Sequence, residues 1–170
     1  MIKESLRGKK IAITGSTGFL GTALVELLLR EIDDIQLRLL IRPSGKRSAS
    51  KRLERDILRN DAFDQLREAL GAEGFNELAS NAVKALSADI SLDNLGLDDT
   101  GLRELSECDI VIHSAAAVSF DEPLDRAAEV NLMGPVRLVE TLQNLDAEPH
   151  LVMVSTVSYT HLTLPTKDSV

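Results

Sequence analysis

The sequence predicts an α/β fold built on a doubly wound parallel sheet. Three observations carry that prediction. Short apolar runs alternate with longer stretches of helical spacing along the chain. The runs are continuously apolar, as strands covered on both faces must be. Between the first run and the first helical stretch stand Gly15, Gly18 and Gly21, spaced three apart. Right-handed crossovers between successive strands then give the order 3-2-1-4-5.

Residues 1–9 read as a polar lead-in, and strand one covers 10–14. Leu20, Leu24, Leu27 and Leu28 recur at helical spacing, so helix one runs from about 18 to 30. Asp33 and Asp34 mark a turn, and QLRLLI, residues 36–41, is a second, central strand. It stops at Arg42-Pro43, because proline cannot continue a central ladder. A polar, basic loop over 44–50 holds Lys46 and Arg47. From 49 to 79 the spacing is helical, punctuated by Gly71 and Gly74, which makes 49–82 a long insertion between two strands. Strand three is 83–87, and a short helix over 98–106 is capped by Asp98 or Asp99. Strand four is 109–113, followed by the small residues 114–117. Residues 123–145 are helical with a kink or restart at Gly134-Pro135, and strand five is 150–155.

Composition narrows the function classes. The chain has 170 residues, enough for one domain, and is 44% apolar but only 3% aromatic, so the core should be aliphatic. A net charge of −8 with no basic stripe argues against a nucleic-acid partner. Cys108 is the single cysteine and sits beside an apolar run; it is expected to be a buried filler, and a reducing, cytoplasmic location fits. No apolar run is long enough for a membrane span, and the N-terminus lacks a signal peptide's apolar stretch. No His or Cys pair stands at metal-ligand spacing, so no metal site is expected.

The glycine turn points to chemistry. Gly15 lets the chain turn without a Cβ in the way, Gly18 lets a phosphate approach backbone N–H groups, and Gly21 lets the helix pack on its strand. A helix N-terminus presents orphan donors and partial positive charge to a pyrophosphate. The alternative is a turn that uses glycine for geometry alone. At the end of strand two, where a carboxylate would hold a ribose 2′-OH, this chain has Arg42, whose guanidinium suits a 2′-phosphate. NADP is therefore favoured over NAD, the alternative being a solvated arginine. Asp89, after strand three, stands where adenine would lie, and equally well serves as a turn residue. Ser114, Ala115 and Ala116 are small enough to let a cofactor approach the end of strand four. His113 reads as a strand-end residue with a satisfied ring.

GSTGFLG, LLIRP, the turn Ala88-Asp89-Ile90, VIHSAAAVSF, Asn131-Leu-Met-Gly134 and VSTV together resemble the extended short-chain dehydrogenase/reductases. Within them, the arginine-ended strand two, Lys51-Arg52-Leu53 and Leu95-Gly96-Leu97 are similar to the fatty acyl-CoA reductases and thioester-reductase domains. The resemblance implies an NADP-binding Rossmann domain over 1–157. Gly15, Gly18 and Gly21 would bind the pyrophosphate with the backbone of Thr17, Phe19 and Leu20. Arg42 would bind the 2′-phosphate, Asp89 would lie near adenine, and Ser114, Ala115 and Ala116 would line the cofactor channel. Asn131 would order the active site through backbone and water, and Thr156 would hold the substrate carbonyl. The implied substrate is a thioester of coenzyme A or an acyl-carrier protein; oligomeric state is left open.

The chain departs from that pattern at one point. The family's proton donor is a Tyr followed four residues later by Lys, but Tyr159 is the only tyrosine here and Thr163 follows it. The stretch from Ser158 to Val170 resembles translated sequencing-adapter read-through, so 158–170 is expected to be a foreign tail and the sheet to be cut short after strand five. The rival expectations are a nucleotide-sugar epimerase or dehydratase fragment, which the insertion at 49–82 disfavours, and a non-catalytic NADP-binding module.

Overall fold

The structure is a computed structural model that describes residues 2–119, 121 and 123–155. Five strands lie parallel: β1 (Lys10–Thr14), β2 (Gln36–Ile41), β3 (Val83–Ser87), β4 (Ile110–His113) and β5 (His150–Met153). Their order is β3-β2-β1-β4-β5, as the crossover rule requires. Along β1, Ile11 and Ile13 face one layer and Ala12 the other, because successive side chains point to opposite faces.

The first layer holds α2 (Phe19–Glu31), whose Val25, Leu28 and Leu29 cover Ile11, Ile13, Leu37 and Leu39. It is completed by the insertion: α3 (Ala49–Arg52), a π-helical turn (Leu53–Leu58) and α4 (Asp64–Ala82). Gly71 breaks α4 with a φ of 68°, while Gly74 sits inside regular helix. The second layer holds α5 (Asp99–Ser106) and α7 (Gly134–Asn144), whose Leu105, Leu138 and Leu142 cover Ala12, Leu40, Leu86 and Val111. Asp98 caps α5 by accepting the Gly101 N–H at 2.7 Å.

Four differences from the sequence reading have local causes. The polar lead-in contains a short helix, α1 (Ile2–Leu6); Leu6 packs on the first core, and Lys3 and Arg7 pair with Glu31 and Asp33 at the end of α2. The expected restart at Gly134-Pro135 is instead a π-helical turn just before it, Glu129–Met133, joining α6 (Leu124–Ala128) to α7. Gly134 lets α7 approach Ile90, whose Cδ1 would lie 3.1 Å from a Cβ there. Strand two carries a charge into the core: Arg38 pairs with Glu104 of α5, which also accepts from Lys84 of β3 at 2.6 Å. Strands four and five are shorter than expected, because Asp109 turns its carboxylate back to the Lys10 N–H and Val154 and Ser155 lie past β5. Cys108 is buried filler, with a thiol that burial pushes up to about 12.

Candidate functional site

The site is built where β1 meets α2. Gly15 has a φ of 72°, a left-handed conformation that favours glycine. A Cβ there would also lie 2.6 Å from the Ser114 carbonyl carbon. The Gly18 N–H closes the turn on the Gly15 carbonyl at 3.0 Å, and Gly18 starts α2 with no side-chain cap. No acidic residue occupies the first turn of α2, so its first N–H groups and the positive end of its dipole are open to an anion.

The three glycines serve different ends. Gly21 packs on the turn itself, where a Cβ would fall 2.2 Å from the Gly15 carbonyl oxygen, and not on the strand as expected from spacing. Gly18 is the one the fold needs least: its φ is −83°, and an added Cβ would meet only the Gly15 carbonyl oxygen, at 3.3 Å. It borders a cavity of about 400 Å³. A glycine that leaves room where the protein has nothing to place fits a phosphate-bearing group.

That cavity gathers residues from the carboxyl ends of the strands. Thr14, Gly15, Thr17 and Gly18 form its floor; Arg42, Ala88 and Asp89 follow β2 and β3; Ser114, Ala115 and Ala116 follow β4. Phe19, Leu20 and Gly21 do not line it. The Phe19 side chain is 95% exposed, so what Phe19 and Leu20 can offer the cavity is backbone. Asp89 is already a turn residue, its Oδ1 accepting from the Ser91 N–H at 3.0 Å and the Ser91 hydroxyl at 2.6 Å, yet it also faces the cavity.

Lys46 and Arg47 line a separate cavity beside β3. Besides Arg42, two arginines line the crevice, Arg126 of α6 and Arg52 of α3. Arg52 is the one bound to the end of β2. Its Nη1 donates to the Arg42 carbonyl at 2.7 Å and its Nε to Asp56 at 2.9 Å, which holds the guanidinium at the end of β2. In the sequence Arg52 and Asp56 look like an ordinary i,i+4 helix pair; only the path of the loop brings them back to Arg42.

Asn131 sits in the π-helical turn and does not line the cavity. Its side chain makes two hydrogen bonds with the backbone of Ala117, accepting the N–H at 2.7 Å and donating to the carbonyl at 2.9 Å. It thereby ties the strand-four loop to the helix beside it. Thr156, Tyr159 and the tail 158–170 lie outside the described residues. Among the described residues no cluster of His, Cys, Asp and Glu is suited to a metal ion, and no helix is long and apolar enough to cross a membrane.

Fold, glycine turn and crevice define a dinucleotide-binding domain of the doubly wound class. The sequence profile of the male sterility protein family, an NAD-binding family, matches residues 13–168, and the chain belongs to that family. It is 37% identical over 154 residues to fatty acyl-CoA reductase 8 of Arabidopsis thaliana, covering 89% of this chain and 31% of that one. The chain thus spans about a third of the length of the curated relatives it matches. Among solved structures it is similar to the reductase domain of a non-ribosomal peptide synthetase from Mycobacterium tuberculosis, with a TM-score of 0.67 and 29% identity over 92% of this chain and 35% of that one. The terminal R domain of the myxalamid biosynthetic pathway gives the same TM-score at 27% identity, covering 88% of this chain and 35% of that one.

Proposed function

We propose that this chain is the N-terminal cofactor-binding part of an NADPH-dependent reductase of acyl thioesters, carried on coenzyme A or on a carrier protein. The observation that carries the cofactor choice is the pair Arg42 and Arg52 at the end of β2, held together by the 2.7 Å bond between them. Two guanidinium groups at that position, with Asp56 engaged by Arg52, favour a 2′-phosphate over a bare ribose. The relatives' names, fatty acyl-CoA reductase and peptide-synthetase reductase domain, support a thioester substrate.

Each residue then has a task. The backbone from Thr17 to Leu20 and the start of α2 bind the pyrophosphate, with Gly18 leaving it room. Gly15 and Gly21 shape the turn. Arg42 and Arg52 bind the 2′-phosphate, and Asp89 lies by the adenine. Ser114, Ala115 and Ala116 let the ribose and nicotinamide approach, and Asn131 holds their loop through Ala117. Thr156 would hold the substrate carbonyl. A dinucleotide held by these residues would supply the hydride for reduction of that carbonyl. The Tyr-x-x-x-Lys pair that supplies a proton in the resembling family is absent from this sequence.

Titration with NADPH and NADH tests the reading. Arg42→Asp replaces attraction with repulsion at the 2′-phosphate and should weaken NADPH roughly tenfold or more while sparing NADH. Arg52→Ala should act in the same direction, less strongly. Unchanged relative affinities would overturn the assignment. Steady NADPH consumption by the chain with a long-chain acyl-CoA would overturn the role given to the missing pair.

A further inference from the structure

We propose that His113 is a positioning residue of the dinucleotide crevice, acting through Thr14 in one tautomer only. The inference rests on the dinucleotide reading of that crevice. Thr14 ends β1, His113 ends β4, and the two are register partners in adjacent strands. Both are buried, at 1% and 3% exposure. Thr14 Oγ1 lies 2.9 Å from His113 Nδ1 and accepts the backbone N–H groups of Ser114 and Ala115, each at 3.1 Å.

A hydroxyl has two lone pairs and one hydrogen. The two amides occupy the lone pairs, so the hydrogen goes to His113 Nδ1. That nitrogen is therefore an acceptor, and the ring is neutral with its hydrogen on Nε2. An imidazolium would present a donor to an oxygen with no acceptor site left. Burial acts in the same direction, pushing the His113 pKa below its ordinary value.

The clasp sets the height of a backbone that the cofactor must pass. Ser114 and Ala115 are drawn over the end of β1 so closely that Gly15 has no room for a Cβ: the Ser114 carbonyl carbon and the Ala115 nitrogen would lie 2.6 and 2.7 Å from it. The same residues form the crevice wall. Three charged groups near this face, Arg137, Asp89 and Glu104, have partners other than His113. Arg137 of α7 pairs with Glu129 at 2.6 Å and lies 3.9 Å from Asp93, and Asp89 accepts from Ser91. Below them, Glu104 of α5 holds Arg38 and Lys84.

The test uses Thr14→Val, Thr14→Ser, His113→Leu and His113→Asn in the full chain. Each is followed by thermal unfolding and by titration with NADH, which lacks the 2′-phosphate and its own titration near pH 6. Thr14→Val and His113→Leu should weaken NADH about tenfold or more, the loss expected from unmaking one buried hydrogen bond. Thr14→Ser keeps the hydroxyl, and His113→Asn keeps an acceptor near Nδ1, so both should recover most of the affinity. The unaltered chain should bind more weakly as pH falls through the His113 pKa, which burial places below the ordinary histidine value. His113→Asn should lose that dependence. A folded His113→Leu that binds as the parent does, or a His113→Asn with the parent's pH profile, overturns the proposal. Should His113→Leu not fold, the His113→Asn profile decides. Should the parent bind neither dinucleotide, the functional reading fails, and amide exchange at Ser114 and Ala115 in Thr14→Ser against Thr14→Val then decides the clasp, equal protection overturning it.

Discussion

The two ends of the sheet are held by different chemistry. At the amino end, Lys9 pairs with Asp109 at 2.7 Å and Lys10 with Glu107 at 2.6 Å, through side chains 19–52% exposed. At the carboxyl end β1 and β4 meet through Thr14, His113 and backbone, with no ion pair between them among the described residues. Water and salt screen the first arrangement, so its partners are replaceable. The second joins two buried side chains, Thr14 and His113, and leaves no room for a Cβ at Gly15. The β1–β4 contact beside the crevice is thus made without an ion pair, and the crevice's charged groups, Arg42, Arg52 and Asp89, come from the segments that follow β2 and β3.

The largest effects should therefore come from adding one methyl group at the carboxyl end. Gly15→Ala forces a Cβ into left-handed backbone and into the Ser114 backbone at 2.6 Å. Gly21→Ala brings a Cβ to 2.2 Å from the Gly15 carbonyl oxygen. In neither case is the obstacle a flexible side chain. Each should cost about 3 kcal/mol or more, the upper range for overpacking combined with backbone strain. Urea unfolding checks this; a midpoint unchanged in either variant breaks the contrast between the two ends.

Between the ends lies the buried charge of Arg38. Glu104 accepts from both Lys84 and Arg38, and these bonds hold its pKa at about 2, against an ordinary 4.5. Its folded pKa is lowered, so the stabilisation is complete above about 4.5 and is lost as pH falls towards 2. Glu104→Gln leaves Arg38 buried without its countercharge and should cost about 3 kcal/mol at pH 7. The same variant should lose part of the fall in melting temperature between pH 4.5 and 2. An acid profile parallel to the parent's would show that the pair does not govern stability there.

The third effect is small for folding and large for binding. Gly18→Ala meets only one atom, at 3.3 Å, in a backbone that alanine adopts freely. Its unfolding midpoint should shift by less than about 1 kcal/mol. Affinity for NADPH and NADH should fall together, since both carry the pyrophosphate that the Cβ would displace. Equal binding by a normally folded Gly18→Ala would remove the phosphate cradle from this position.

Sheet order and strand positions were legible because apolar runs and glycine spacing are local patterns. GSTGFLG marked the turn, but the distinct reasons for its three glycines emerge only once Ser114 and Ala115 are seen crossing over Gly15. Arg38 was hidden inside QLRLLI, because a buried ion pair needs a partner 66 residues away in sequence. Arg52 was hidden for the same reason: its partner carbonyl belongs to Arg42, across a loop whose path no local pattern specifies. The helix at residues 2–6 escaped notice because a five-residue helix owes its stability to α2, not to its own propensity.

The smallest effect should be found at the amino end. Asp109 accepts from Lys9 Nζ through Oδ1 and from the Lys10 backbone N–H through Oδ2, at 2.7 and 2.9 Å. Lys9 first, and then that backbone N–H, hold its carboxyl below the usual range. Asp109→Asn removes the charge but keeps an acceptor for the Lys10 amide, so the register of β1 against β4 should survive. What remains to be lost is one ion pair with side chains 43% and 37% exposed. Pairs of that kind contribute about 0.2–1 kcal/mol at low salt, and less as salt screens them. Unfolding of Asp109→Asn should therefore differ from the parent by less than about 1 kcal/mol in dilute buffer and by less again in concentrated sodium chloride. A loss as large as that of Glu104→Gln, persisting in salt, would show that both ends of the sheet are equally rigid. The contrast between the ion-paired amino end and the uncharged Thr14–His113 contact would then fail.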